Sequence, residues 1–89
     1  MAKKRRKLNK NFEKKIYSSK KDVELVLAKI YDIDDEDIQK EYMSAFKGVV
    51  NLYDELKEDY ESIGFNDKSE EFLMNYKNAF NLFESEFEI

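Results

Sequence analysis

Charge, rather than a nucleophile or a metal-binding set, carries the chemistry of this sequence. It begins MAKKRRKLNKNFEKK, with Lys3, Lys4, Arg5, Arg6 and Lys7 in an unbroken basic run. Such a run neutralises phosphates and releases their condensed counterions, giving strong, salt-sensitive binding with little sequence preference. Lys10, Lys14 and Lys21 extend it, because at 100° per residue they share the helix face opposite the apolar residues. These eight side chains are the candidate contacts to DNA, RNA or another polyanion. Phe12 and Tyr17 are interleaved with them, but Phe12 falls on the apolar face, and the pattern argues against base stacking. No helix offers Asn, Gln and Arg at a spacing suited to reading base edges.

A second candidate set is acidic. Asp34, Asp35, Glu36 and Asp37 are consecutive, and Glu84 and Glu86 lie near the other end of the chain. In DIDDEDIQKEYM the acids alternate at Asp32, Asp34 and Glu36, as in a calcium loop. That loop needs glycine sixth and glutamate twelfth, where this sequence has Asp37 and Met43. With no cysteine and no histidine, zinc sites of the usual kind, disulfides and thiol or imidazole catalysis are excluded. There is no glycine-rich phosphate loop, and no nucleophile or oxyanion donor set accompanies the carboxylates. The expectation is a protein that is not an enzyme and uses no metal or cofactor.

The elements that position these charges follow from composition and periodicity. A chain of 89 residues has room for one small domain. It is 42% hydrophobic and 40% charged, too apolar for a disordered chain, and no run approaches the ~20 apolar residues of a bilayer helix. The basic start has no apolar segment behind it, unlike a secretory signal, and a cytoplasmic location without membrane association is expected. Proline is absent and Gly48 and Gly64 are the only glycines, so long helices are favoured over turns.

Three helices are expected, at about 11–31, 34–63 and 67–87, after a free basic arm at 1–10. The first carries Phe12, Ile16, Val23, Val26, Leu27 and Ile30 within roughly 60° of one another. The second has a stripe from Ile38 through Tyr42, Ala45, Phe46, Val49, Leu52, Tyr53, Leu56 and Tyr60 to Ile63. Asp34 or Asp35 caps its start, and Gly64 ends it in a left-handed conformation with Phe65 folding back. Gly48, inside this helix, reads as a close helix crossing, with a tolerated weakness as the alternative. Asp67 or Ser69 opens the third helix, with Glu70 completing a capping box on Asp67, and Phe72, Leu73, Tyr76, Ala79, Phe80, Phe83 and Phe87 form its stripe. The fold class expected is all-α: a small antiparallel three-helix bundle with a long central helix. Met43, Val50, Met74 and Leu82 fall at or beyond the stripe edges and are candidates for a partner or homodimer face.

The charge is strongly polarised. Residues 1–21 hold ten Lys or Arg against Glu13 alone, a net of +9, and residues 22–89 hold six lysines against nineteen acids, a net of −13. An up-down-up path would place Lys10, Lys14 and Lys15 beside Glu58, Asp59, Glu61, Glu70 and Glu71, and gather Asp34–Asp37 with Glu84 and Glu86 at the far end. Neighbouring acids would screen part of the basic run. Stability does not explain the rest, since cations oppose the dipole at a helix start and surface ion pairs return only about 0–1 kcal/mol. The reading is a small helical adaptor or regulator of a nucleic-acid-handling complex, with a basic arm for polyanion contact and a bundle surface for a protein partner. The alternative is an acidic, phosphate-mimicking inhibitor, of the phage type, acting on a nucleic-acid-binding protein such as a nuclease. The scarcity of arginine beside abundant Lys, Asn, Ile and Tyr fits an A+T-rich bacterial or phage genome.

Overall fold

The computed structural model describes residues 7–87, and within them the fold is all-α. Helix α1 spans Lys10–Tyr31, α2 spans Glu36–Ile63 and α3 spans Ser69–Glu86. The first is continuous through Ser18 and Ser19, as its unbroken apolar phase requires. Asn9 caps it, the Oδ1 atom accepting from the Phe12 N–H at 2.9 Å. Asp35 caps α2, accepting from the N–H groups of Asp37 (2.9 Å) and Ile38 (3.2 Å). The last carbonyls of α1 are met from across the turn: Gln39 Nε2 donates to the carbonyls of Ile30 and Tyr31 at 3.2 and 3.1 Å. That satisfies acceptors which a helix end leaves open.

The turn from α2 to α3 departs from the expected chemistry in two respects. Gly64 has φ 87° and ψ −165°, a region essentially reserved for glycine, but Phe65 packs on α1, its ring edge-on to Phe12 at 5.1 Å. The capping box, however, is not Asp67–Glu70. Asn66 Oδ1 accepts from the Lys68 N–H and Ser69 Oγ accepts from the Asn66 N–H, both at 2.8 Å. Asn66 thus closes a turn on Lys68 while Ser69, the first helical residue, reaches back to Asn66, and Lys68, the cap residue, makes no side-chain cap bond.

On each helix the inward residues recur at alternating steps of three and four. The first helix presents Phe12, Ile16, Ser19, Val23, Val26 and Ile30; the second presents Tyr42, Phe46, Val49, Tyr53, Leu56 and Tyr60; the third presents Ser69, Leu73, Tyr76, Phe80, Phe83 and Phe87. This is the 3.5-residue period of coiled-coil seams, which keeps one stripe facing its neighbour along the whole helix. Two positions in the ladders are serines. Ser19 and Ser69 are buried, each with its hydroxyl bonded to a local backbone group, Ser19 Oγ donating to the Lys15 carbonyl at 2.8 Å.

The long helix α2 does most of the packing. Its end meets the start of α1, where Phe12 lies against Tyr60 with ring centroids 5.6 Å apart. Its start meets the end of α3 through Tyr42 and Phe87 at 4.8 Å, and farther along Tyr53 meets Tyr76 at 5.9 Å. Phe46, fully buried, holds Phe80 and Phe83 at 6.1 and 4.8 Å; such a side chain contributes about 1.5–3 kcal/mol by its burial. Contact between α1 and α3 is much slighter. The molecule is a rod of 57 × 21 × 18 Å.

Several expected positions shift. Ile38 and Ile63, at the ends of the α2 stripe, are 45% and 58% exposed, because the neighbouring helices do not reach that far; Ala45 is exposed as well. Met43 and Val50 pack against the core instead of forming an outer face, whereas Met74 and Leu82 are exposed. Gly48 is not a crossing point: a Cβ built there meets nothing within 4 Å. Lys7 and Asn9 are not free either: the Lys7 carbonyl accepts from the Phe65 N–H, and the Asn9 N–H donates to the Tyr60 hydroxyl. Among the described residues no helix is long and apolar enough to cross a membrane.

Candidate functional site

The basic end is built on the first three turns of α1 and the segment before it. Lys10, Lys14 and Lys21 are exposed and follow one another along one face of the helix. Tyr17 stands between them on that same face, 59% exposed, with the Lys21 ammonium 5.1 Å above its ring. The core takes Phe12, as the periodicity requires, but leaves Tyr17 outside. An exposed aromatic ring among cations is the arrangement that single-stranded nucleic acids use, their bases stacking while their phosphates are neutralised. Sequence reasoning dismissed stacking on account of Phe12. The signal that distinguishes Tyr17 is its place five residues on, half a turn off the apolar stripe and in phase with Lys10, Lys14 and Lys21.

The segment leading into α1 is pinned to the α2–α3 turn. The Phe65 N–H donates to the Lys7 carbonyl at 2.6 Å, and Lys7 forms an isolated parallel bridge with Gly64. Asn9 N–H donates to Tyr60 Oη at 3.1 Å, and Tyr60 Oη donates to the Glu13 carboxylate at 2.5 Å. Lys3, Lys4, Arg5 and Arg6 lie outside the described residues, but the chain position that follows them is thereby fixed beside Gly64.

Two acids at this end are given to neutral partners. Glu13 accepts from Tyr60, and Asp59 accepts from Asn66 Nδ2 at 2.8 Å. Glu13 also sits in the first turn of α1, where an anion complements the helix dipole. Glu13 and Asp59 thus serve the start of α1 and the turn, while Glu58, Glu70 and Glu71 are on the surface, as are Lys10, Lys14 and Lys21.

At the opposite end, Asp34, Asp35, Glu36 and Asp37 begin α2, and Glu84 and Glu86 close α3, all of them exposed. The Tyr42–Phe87 contact brings these two helix ends together. Asp35 is consumed as the helix cap. Glu84 stands on the wall of a groove between α1 and α3. No group of three or more acidic side chains among the described residues converges as a metal site would, so the acids form a spread surface rather than a cage.

The most perturbed titratable groups are phenols in the core. Burial, followed by the nearby Asp22 carboxylate, pushes Tyr76 well above the ordinary tyrosine range, and burial followed by Asp54 raises Tyr53. Neither adjoins a nucleophile, and Tyr76 Oη donates to the Ser19 carbonyl at 3.3 Å, a structural role. Comparison with family models, with curated proteins and with solved structures returns no match for this chain.

Proposed function

We propose that this protein is a non-enzymatic adaptor or regulator of a nucleic-acid-handling complex. It would act as an antiparallel three-helix bundle that holds out a basic N-terminal arm, the arm and the outer face of α1 touching nucleic acid while the bundle contacts a protein. The observation that carries this reading is the exposed Tyr17 ring under the Lys21 ammonium, in phase along α1 with the exposed Lys10 and Lys14. Lysines alone would serve duplex and single strands alike. An exposed ring between them adds base stacking, worth about 1–3 kcal/mol per base, and favours single strands.

The test is a fluorescence-anisotropy titration with single-stranded RNA and duplex DNA at low and near-physiological salt. Binding should weaken steeply with salt, and a chain lacking residues 2–6, which keeps the Lys7 anchor, should bind far more weakly. Tyr17→Ala should weaken the single strand by about fivefold or more, from the stacking energy lost, and leave the duplex nearly unchanged. Absence of binding by the full chain at low salt would overturn the reading.

The gathering of Glu84 and Glu86 beside the start of α2 favours a second reading, the phosphate-mimicking inhibitor. Neutralising Asp34, Glu36 and Asp37 together, while sparing the Asp35 cap, would abolish inhibition of a nuclease under that reading and leave nucleic-acid binding intact under the first.

A further inference from the structure

The inference concerns the groove between α1 and α3, and it rests on the proposed adaptor role by naming the bundle surface that takes the protein. Helix α2 packs along both neighbours, while α1 and α3 approach each other at the Tyr76–Ser19 hydrogen bond and then part. That is the relationship of the two diagonal helices in a four-helix bundle, with one corner vacant. The vacant corner is an open trench of about 730 Å³. Its α1 wall extends from Lys15 to Lys29, about 21 Å at 1.5 Å per residue, and so suits a rod rather than a compact ligand.

Half-buried Phe80 and Phe87 from α3 lie in the floor of the trench over the buried Val26 and Phe83, Leu25 stands 57% exposed on its rim, and Ser18, Asn81 and the rim charges make the rest of the lining polar. The rim charges fall at heptad intervals: Lys15, Asp22 and Lys29 on α1, Lys77 and Glu84 on α3. These are the places that flank a coiled-coil seam, where charge pairs choose the partner and its orientation. Both signs are present, so a polyanion does not fit. A second copy paired about an axis across the trench does not fit either, since it would set Asp22 against Asp22 and Lys15 against Lys29, and like charges opposed across an interface are costly. A second copy paired about an axis along the trench is the other outcome that the peptide experiment must exclude.

We propose that this trench receives one amphipathic helix from a protein partner, lying parallel to α2. Its apolar stripe would cover Leu25, Phe80 and Phe87. The flank facing α1 would read acid, base, acid at seven-residue intervals from its N-terminus, opposite Lys29, Asp22 and Lys15. The flank facing α3 would read base then acid, opposite Glu84 and Lys77. This is recognition of a helix in a groove, with specificity written in the rim.

The experiment uses the full chain and two synthetic three-heptad peptides with leucine at the seam positions. One carries the flank charges just described, and its twin has every flank charge reversed. The matched peptide should bind at least about tenfold more tightly, a difference of roughly 1.4 kcal/mol, with amide shifts confined to the facing sides of α1 and α3. The double variant Lys15→Glu/Lys29→Glu, which reverses two of the five flank contacts at exposed residues, should shrink the preference severalfold without inverting it. Equal binding of both peptides, binding of neither at about 1 mM, or shifts on another face would overturn the proposal. Removing residues 2–6 should leave peptide binding unchanged. Loss of the groove result with nucleic-acid binding intact would sink this inference alone, and the converse would sink the adaptor reading alone.

Discussion

The hydroxyl of Tyr60 accepts the Asn9 backbone N–H at 3.1 Å and donates to the Glu13 carboxylate. One phenol near the end of α2 therefore fixes both the cap residue of α1 and an acid in its first turn, across about fifty residues of chain. The Tyr60 ring also packs on Phe12, so the polar contact is held by an apolar one.

Tyr60→Phe keeps the ring and removes the hydroxyl, leaving the Asn9 N–H without its acceptor. The expected cost is about 1–3 kcal/mol, the penalty for stranding a part-buried donor. The loss should be local before it is global: amide exchange at Asn9 and Phe65 should quicken while that at Phe46 and Val49 stays at the global rate. Chemical denaturation read beside hydrogen exchange measures both. Uniform quickening would mean that the phenol serves the whole fold rather than the anchor.

Ser19 occupies a ladder position where α1 faces Tyr76, and the two are hydrogen-bonded through the Ser19 carbonyl. Its own Oγ donates to the local Lys15 carbonyl at 2.8 Å. Ser19→Ala should therefore alter stability by less than about 1 kcal/mol. Ser19→Leu, which looks better on any hydrophobicity scale, should destabilise by about 1–3 kcal/mol through overpacking against the tyrosine. Urea unfolding midpoints of the two variants decide it, and a stabilised Ser19→Leu would refute this account of the layer.

These serines mark where sequence reasoning reaches its limit. The helices were legible because long apolar ladders are uninterrupted by proline, and Asp35 was a recognisable cap. Ser19 and Ser69 were not legible as core, since a polar residue announces burial only once its hydroxyl has a partner and its neighbour is known to be a large ring. The turn bonds of Asn66 and Ser69 were hidden by Asp67 and Glu70, which carry the capping-box spacing without forming the box. The cations of α1 were legible from charge alone. The trench was not foreseen because a closed bundle and an open one require the same three stripes.

Gly48 lies in the interior of α2 with open space around the position a Cβ would take. Nothing requires glycine there: its φ is not positive, Gly64 being the residue with that property. Gly48→Ala should stabilise the protein by about 0.5–1 kcal/mol, by narrowing the unfolded ensemble and favouring helix. Thermal unfolding checks this, with a rise in Tm of several degrees expected for a chain of this size. A drop would mean that the surface at Gly48 is covered in solution.

Tyr76 and Tyr53 make stability fall at alkaline pH. Both phenols are raised above the ordinary value of 10.0, Tyr76 chiefly by burial and then by Asp22, Tyr53 chiefly by burial and then by Asp54. In the folded chain they hold their protons at a pH where the unfolded chain has begun to release them. The folded state then binds more protons, so stability declines with rising pH. The contribution is complete below about pH 10 and is lost progressively above it, as pH rises toward the folded-state values. Tyr76→Phe removes the larger of the two effects, and at neutral pH it should change stability by no more than about 1 kcal/mol, since the hydroxyl makes a single long bond. Urea midpoints at about pH 8 and about pH 11 should therefore diverge less for the variant than for the natural chain. An identical alkaline slope in both would show that Tyr76 ionises as readily folded as unfolded, and the decline would have to be assigned to lysine deprotonation instead.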